Sequence, residues 1–132
     1  MWQADSPFTW QPINTGQEEL IKSLVYSKDG KWLAGGADNT IYIWEASGGN
    51  EVKKITGKFG TVHSLEFMCD DQLLVSGSAD NLLHLWNTQT WEDSAQLKSH
   101  TSPVSSLAVS GDNRLIISGA ALEGIIRLWG IQ

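Results

Sequence analysis

Three stretches of this chain end the same way: "LAGGADNTIYIW" at Trp44, "SGSADNLLHLW" at Trp86 and "ISGAALEGIIRLW" at Trp129. The three tryptophans are 42 and 43 residues apart. A fixed period of this length constrains the fold more than any other feature. Each unit must be one supersecondary element that cannot bury its apolar side chains without a neighbour.

Inside each unit, short β-rich runs alternate with turn residues. Unit two reads "TVHSLEF" (61–67), the acidic turn "CDDQ", "LLVSGS" (73–78), the turn "ADN" and "LLHLW" (82–86). Unit three matches it with "PVSSLAV" (103–109), "SGDN", "RLIISG" (114–119) and "GIIRLW" (124–129). Unit one supplies "LIKSLVY" (20–26), "SKDG", "KWLAGG" (31–36) and "NTIYIW" (39–44). Runs of this length bounded by Asp, Asn and Gly predict hairpin-linked strands. A weaker fourth strand falls between units, at 51–57 and 94–100, and "TWQPINTG" (9–16) occupies the same place before unit one. Pro12 suits only an outer edge. Four antiparallel strands per unit, repeated, predict an all-β fold of propeller blades.

Composition narrows the function. The 132 residues are 41% apolar and 18% charged, the balance of a folded domain. A net charge of −6 with no basic cluster disfavours nucleic acid and anionic membranes as partners. The single cysteine, Cys69, rules out an intramolecular disulfide framework and reads as a small turn residue. The segment "MWQADSPFTW" has neither the basic start nor the apolar core of a secretory signal, and no run has the ~20 apolar residues of a membrane helix, so a cytoplasmic location is expected. Trp44, Trp86 and Trp129 are expected to fill space between neighbouring sheets, and Trp32 to be core. Trp2, Trp10 and Trp91 lie outside the repeated core positions and are candidates for contact.

With these residues the chain resembles the WD-repeat (WD40) β-propeller family, over residues 9 to 130. Glu45, Asn87 and Gly130 follow the tryptophans where the family often has Asp. The resemblance implies a hydrogen-bonded set of His, Ser, Asp and Trp in each blade. Unit three supplies His100, Ser118, Glu123 and Trp129, with Glu123 one residue later and one methylene longer than the usual Asp. Unit two supplies Ser76, Asp80 and Trp86, with Lys58 in the histidine position. Unit one retains Asp38 and Trp44; Gln17 replaces the histidine, and Ala34 or Gly35 the serine. The resemblance also implies a partner-binding face, matched here by Glu18, Leu20, Phe59, Thr61, Thr101, Pro103, Ala37, Ala79 and Leu122. Packing of these loop residues on their own blade is the equal alternative.

His100, Ser118 and Glu123 have the residue types of a catalytic triad, but triads are defined by geometry and role. The same slots hold Ser and Asp in unit two without a histidine, so a structural role is expected. His63 and His84 occupy slots held by Lys22 and Tyr42 or by Ser105 and Arg127, and solvated or half-buried side chains are expected there rather than metal ligands. No enzyme activity, cofactor or metal is expected.

Propeller rings contain ~4 to 8 blades, so three blades form an open arc that exposes apolar faces. The expected organisation is one partial-propeller domain: an outer strand at 9–16, blade one at 17–57, blade two at 58–100 and blade three at 101–132, the last without its own outer strand. Trp10 and Ile13 on the 9–16 strand are expected to complete blade three of a neighbouring copy. That head-to-tail contact closes a ring by homo-oligomerisation, six blades as a homodimer or nine as a homotrimer. The expected function is a non-catalytic scaffold for an unknown protein or peptide. The alternatives are a fragment of a longer WD40 protein whose propeller guides another domain, and a ring with a ligand or enzymatic site in its central channel.

Overall fold

The structure is a computed structural model that describes residues 20–98 and 100–130. Among these residues there is no helix; nine strands run in order as β1 (Ser23–Tyr26), β2 (Trp32–Glu45), β3 (Glu51–Met68), β4 (Leu73–Ser78), β5 (Leu82–Asn87), β6 (Asp93–Lys98), β7 (Val104–Val109), β8 (Leu115–Ala120) and β9 (Ile126–Gly130). All pairings are antiparallel between sequence neighbours, in the orders β1-β2-β3-β4-β5-β6 and β7-β8-β9. The predicted outer strand at 9–16, with Trp10 and Ile13, lies outside the described residues, as do Trp2, Gln17 and Glu18.

Two strands are longer than the sequence predicts. The second and third runs of unit one form one element, β2, of 14 residues. Fully extended it would span about 46 Å, yet the Ala46 amide donates to the Lys31 carbonyl at 2.9 Å. The strand therefore doubles back, and it does so at Asp38 and Asn39, the latter with a φ of 55°. Likewise the outer run of unit one and the first run of unit two are the two ends of β3. Its first part pairs with β2 through Thr56↔Thr40, and its last part pairs with β4 through Met68↔Leu73. The join stays hydrogen-bonded because Thr61 still partners Asp38, and the Gly60 amide donates to the Asn39 side chain at 2.7 Å. Gly60 turns the chain there with a φ of 75°, and a Cβ on it would meet the Ala79 methyl at 2.8 Å, so only glycine fits.

The turns follow from the Ser/Asp/Gly signals. In unit one, Ser27 Oγ donates to Asp29 at 2.7 Å and accepts from the Trp32 amide at 2.9 Å. In unit three, Ser110 Oγ donates to Asp112 at 2.6 Å and accepts from the Leu115 amide at 3.0 Å. Cys69 stands in the serine position of unit two, half-buried at a φ of 55°, as a small turn residue. There Asp71 instead reaches back across the sheets and accepts the Lys28 and Asp29 amides at 2.7 and 2.9 Å.

Alternation along each strand sends one set of side chains to each sheet face, and the cores lie between consecutive repeats. The first joins Ala34, Ile41, Ile43 and Ile55 of unit one to Val62, Leu65, Phe67, Leu74 and Trp86 of unit two. The second joins Met68, Val75, Leu83 and Leu85 of unit two to Val104 and Ile116 of unit three, with Trp129 against them. Trp32 packs on the first core as expected. Trp91, a candidate for contact, packs half-buried on the same core at a φ of 58°.

Candidate functional site

In unit three the His, Ser, acid and Trp side chains come together. The Trp129 indole Nε1 donates to Ser118 Oγ at 2.9 Å, and Ser118 Oγ lies 2.7 Å from His100 Nε2. His100 Nδ1 lies 3.2 Å from Glu123 Oε2. A carboxylate only accepts, so the His100 proton that faces Glu123 is on Nδ1. The extra length of Glu123 is used in full: its Oε2 also accepts the Thr101 amide at 2.7 Å. That backbone bond, ahead of the His100 contact, holds the Glu123 carboxyl below its ordinary range. Ser118 is occupied by Trp129 and His100 on the buried side of the sheet, which is a structural tie and not a nucleophile poised toward solvent.

Unit two is wired differently. The Trp86 indole donates to Ser76 Oγ at 2.9 Å, but Asp80 does not join that pair. Asp80 accepts from Ser78 Oγ at 2.7 Å and lies 2.7 Å from His84 Nε2. Asp93, from β6, takes His84 Nδ1 at 2.9 Å. His84 is therefore buried between two carboxylates and stacked on Trp86 at 5.6 Å, in contrast to the solvated or half-buried side chain expected from the sequence. The signal was present in its i,i+4 spacing from Asp80 but needed the β5–β6 pairing to bring Asp93 across. His63 is exposed. Since His84 uses both ring nitrogens on different carboxylates, the three groups do not converge, and among the described residues no cluster could hold a metal ion.

Among the described residues, unit one lacks the network. Trp44 is buried, yet its Nε1 has no hydrogen-bond acceptor among the described residues, because Gly35 and Ala34 carry no hydroxyl. Asp38 instead accepts from Thr61 Oγ1 at 2.6 Å, a bond between repeats. Asp38 and Trp44, the two members of the set that unit one retains in sequence, share no hydrogen-bonded partner among the described residues.

The expected partner-binding residues divide by burial. Leu20, Thr101 and Leu122 are exposed, and Thr61, Ala79 and Pro103 half-buried. Phe59 and Ala37 are buried and unavailable as contacts in this chain. Phe59 lies edge-on to Trp86 at 5.9 Å, the side chain next to Lys58 filling the core where unit two has no loop histidine.

The first and last repeats expose apolar side chains at positions that are buried in other repeats. Leu83 and Leu85 of unit two, like Ile41 and Ile43 of unit one, are buried against the following repeat. Their counterparts in unit three, Ile126 and Leu128, are 69% and 63% exposed. On the opposite end, Leu65 and Phe67 of unit two are buried against unit one, while their counterparts Leu24 and Tyr26 are 62% and 61% exposed.

Comparison with known proteins agrees with the repeat. The family model described as WD domain, G-beta repeat, matches residues 10–45, 49–87 and 91–130. Protein ROOT INITIATION DEFECTIVE 3 of Arabidopsis thaliana is 42% identical over 59 residues, 44% of this chain and 14% of that protein. Among solved structures, the crystal structure of RRP9 WD40 repeats superposes with a TM-score of 0.81 at 22% identity, over 88% of this chain and 37% of that chain. The chain thus spans well under half the length of either relative. The threefold match, the antiparallel four-strand pattern and the superposition agree, and the chain belongs to the WD domain, G-beta repeat family.

Proposed function

We propose that this protein is a non-catalytic, cytoplasmic protein-interaction scaffold that completes a propeller by self-assembly, with two copies forming a six-bladed ring and three a nine-bladed ring as the next possibility. The observation that carries this reading is the pair of open faces: Ile126 and Leu128 stand in slots buried in units one and two, and Leu24 and Tyr26 stand in slots buried in unit two. Apolar surface is stabilised by ~25 cal/mol per Å² on leaving water, and monomers rarely leave such patches uncovered. The contact is head-to-tail, so it closes when the rotation per blade divides the circle. The finished ring presents Leu20, Thr101 and Leu122 on its loops to a protein or peptide, and Glu18 lies two residues before Leu20 in sequence. Family membership supports the scaffold role, since such propellers hold other proteins on rigid faces.

Light scattering coupled to size exclusion, over a range of concentrations, tests the assembly. A species at twice the 14.5 kDa of one chain is the expected result, and three times that mass gives the nine-bladed ring. The second reading is a segment of a longer WD40 protein, with covering blades elsewhere in that protein. The 37% share of the solved relative's length favours it, and a well-folded monomer at every concentration selects it.

A further inference from the structure

A glycine recurs at one position of every repeat: Gly36, Gly77 and Gly119. A Cβ on Gly36 would lie 2.6 Å from Cγ1 of Val62 in the next repeat, and a Cβ on Gly77 would lie 2.6 Å from Cγ1 of Val104 in the one after. Each glycine is therefore the floor of a slot, and the first-strand valine of the following repeat is the side chain seated in it. The seat has a polar latch at the first junction, where Ser23 Oγ donates to the Val62 carbonyl at 3.0 Å. Ser64 and Ser106 stand at the serine position of units two and three.

At Gly119 the slot is empty: a Cβ there would meet nothing within 4 Å. It lies instead in a hollow of about 180 Å³, lined by Ser106, Ala108, Ile117, Ser118 and Ile126. The residue of unit one that aligns with Val62 and Val104 is Ile21, likewise β-branched and aliphatic. Ile21 is half-buried against the buried Ala37, Tyr42 and Trp44 on the opposite face of unit one.

We infer that the Gly119 hollow is a docking slot for Ile21 of a second copy of this chain, latched by Ser106 donating to the Ile21 carbonyl. This rests on the self-assembly reading above and names the contact that drives it. The occupant follows from continuity: two glycine–valine junctions already exist within the chain, the first of them latched by serine, and the chain itself carries the third side chain that fits. Gly119 also lies outside the left-handed backbone region, so a larger residue there is accommodated by an isolated chain.

Gly119→Leu is therefore expected to fold normally by circular dichroism, to raise the dissociation constant about tenfold or more, and to shift the light-scattering mass to one chain. As a second readout, Gly119→Cys and Ile21→Cys are placed on separate chains in a Cys69→Ser background. Serine is the residue at the equivalent turn positions 27 and 110. Mild oxidation of the mixture is expected to give a disulfide-linked pair that neither chain forms alone. If Gly119→Leu assembles as well as the wild type and the mixture does not cross-link, the slot is wrong while self-assembly stands. If the wild type is a monomer throughout, both the slot and the self-assembly reading fall.

Discussion

The Trp129 indole donates to Ser118 Oγ at 2.9 Å, and that hydroxyl in turn meets His100 at 2.7 Å. One small side chain thus joins the end of the third strand of the repeat to the loop before its first strand. In unit one the equivalent Trp44 Nε1 is buried with no acceptor among the described residues. The two repeats compare the same position with and without its hydroxyl.

Ser118→Ala leaves a buried imidazole nitrogen and the Trp129 N–H without their partner. An unsatisfied buried group costs about 1–3 kcal/mol, and that loss is expected in urea unfolding. A change under about 0.5 kcal/mol shows that the network carries no stability.

Glu123 gives a pH signature. Its carboxyl is held below the ordinary range first by the Thr101 amide and then by His100. A folded-state value below the unfolded one contributes stability that is present above the unfolded value and lost as pH falls through the folded value. Glu123→Gln is therefore expected to be less stable than wild type at pH 7, with the gap closing below about pH 4. Denaturation midpoints between pH 3 and 7 measure this directly, and a gap of constant size refutes it.

Phe67 and Tyr26 occupy the same slot of consecutive repeats, one buried and one exposed. Phe67→Ala is expected to cost about 3–5 kcal/mol through the cavity it leaves. Tyr26→Ala in a dilute, unassembled chain is expected to change stability by no more than about 0.5 kcal/mol. Equal effects in thermal unfolding contradict the open-face geometry.

Asp71 ties the turns of units one and two by accepting the Lys28 and Asp29 amides. Asp71→Ala removes both acceptors. Hydrogen exchange at those two amides is expected to quicken at least about tenfold, with the Trp32 amide, bonded to Ser27, unchanged. Uniform loss of protection across the turn points to a general loosening instead.

Much of this was legible in the residues. The period of the tryptophans, the alternating runs and the Ser/Asp/Gly turns identified strands and repeat, since side-chain alternation and turn chemistry are local and act wherever the chain is. The loss of the unit-one network was legible too, because Ala34 and Gly35 plainly lack a hydroxyl. What was not legible depended on which strands lie side by side. His84 looked freely exchangeable until the β5–β6 ladder set Asp93 against it. For Phe59 and Ala37 the sequence left contact and packing on their own blade equally open until the sheets buried both, and β2 and β3 ran on because bonds at Asp38, Asn39 and Thr61 bridge positions remote in sequence.

By itself, the sequence determined that the chain writes one blade-like unit three times and which residues recur in each. Only the tertiary structure decided that Gly36 and Gly77 are filled by Val62 and Val104 while Gly119 stands empty. The repeat number already implied exposed faces on the end blades; which side chain sits on which glycine depends on the packing of one sheet face against another, which no local pattern encodes.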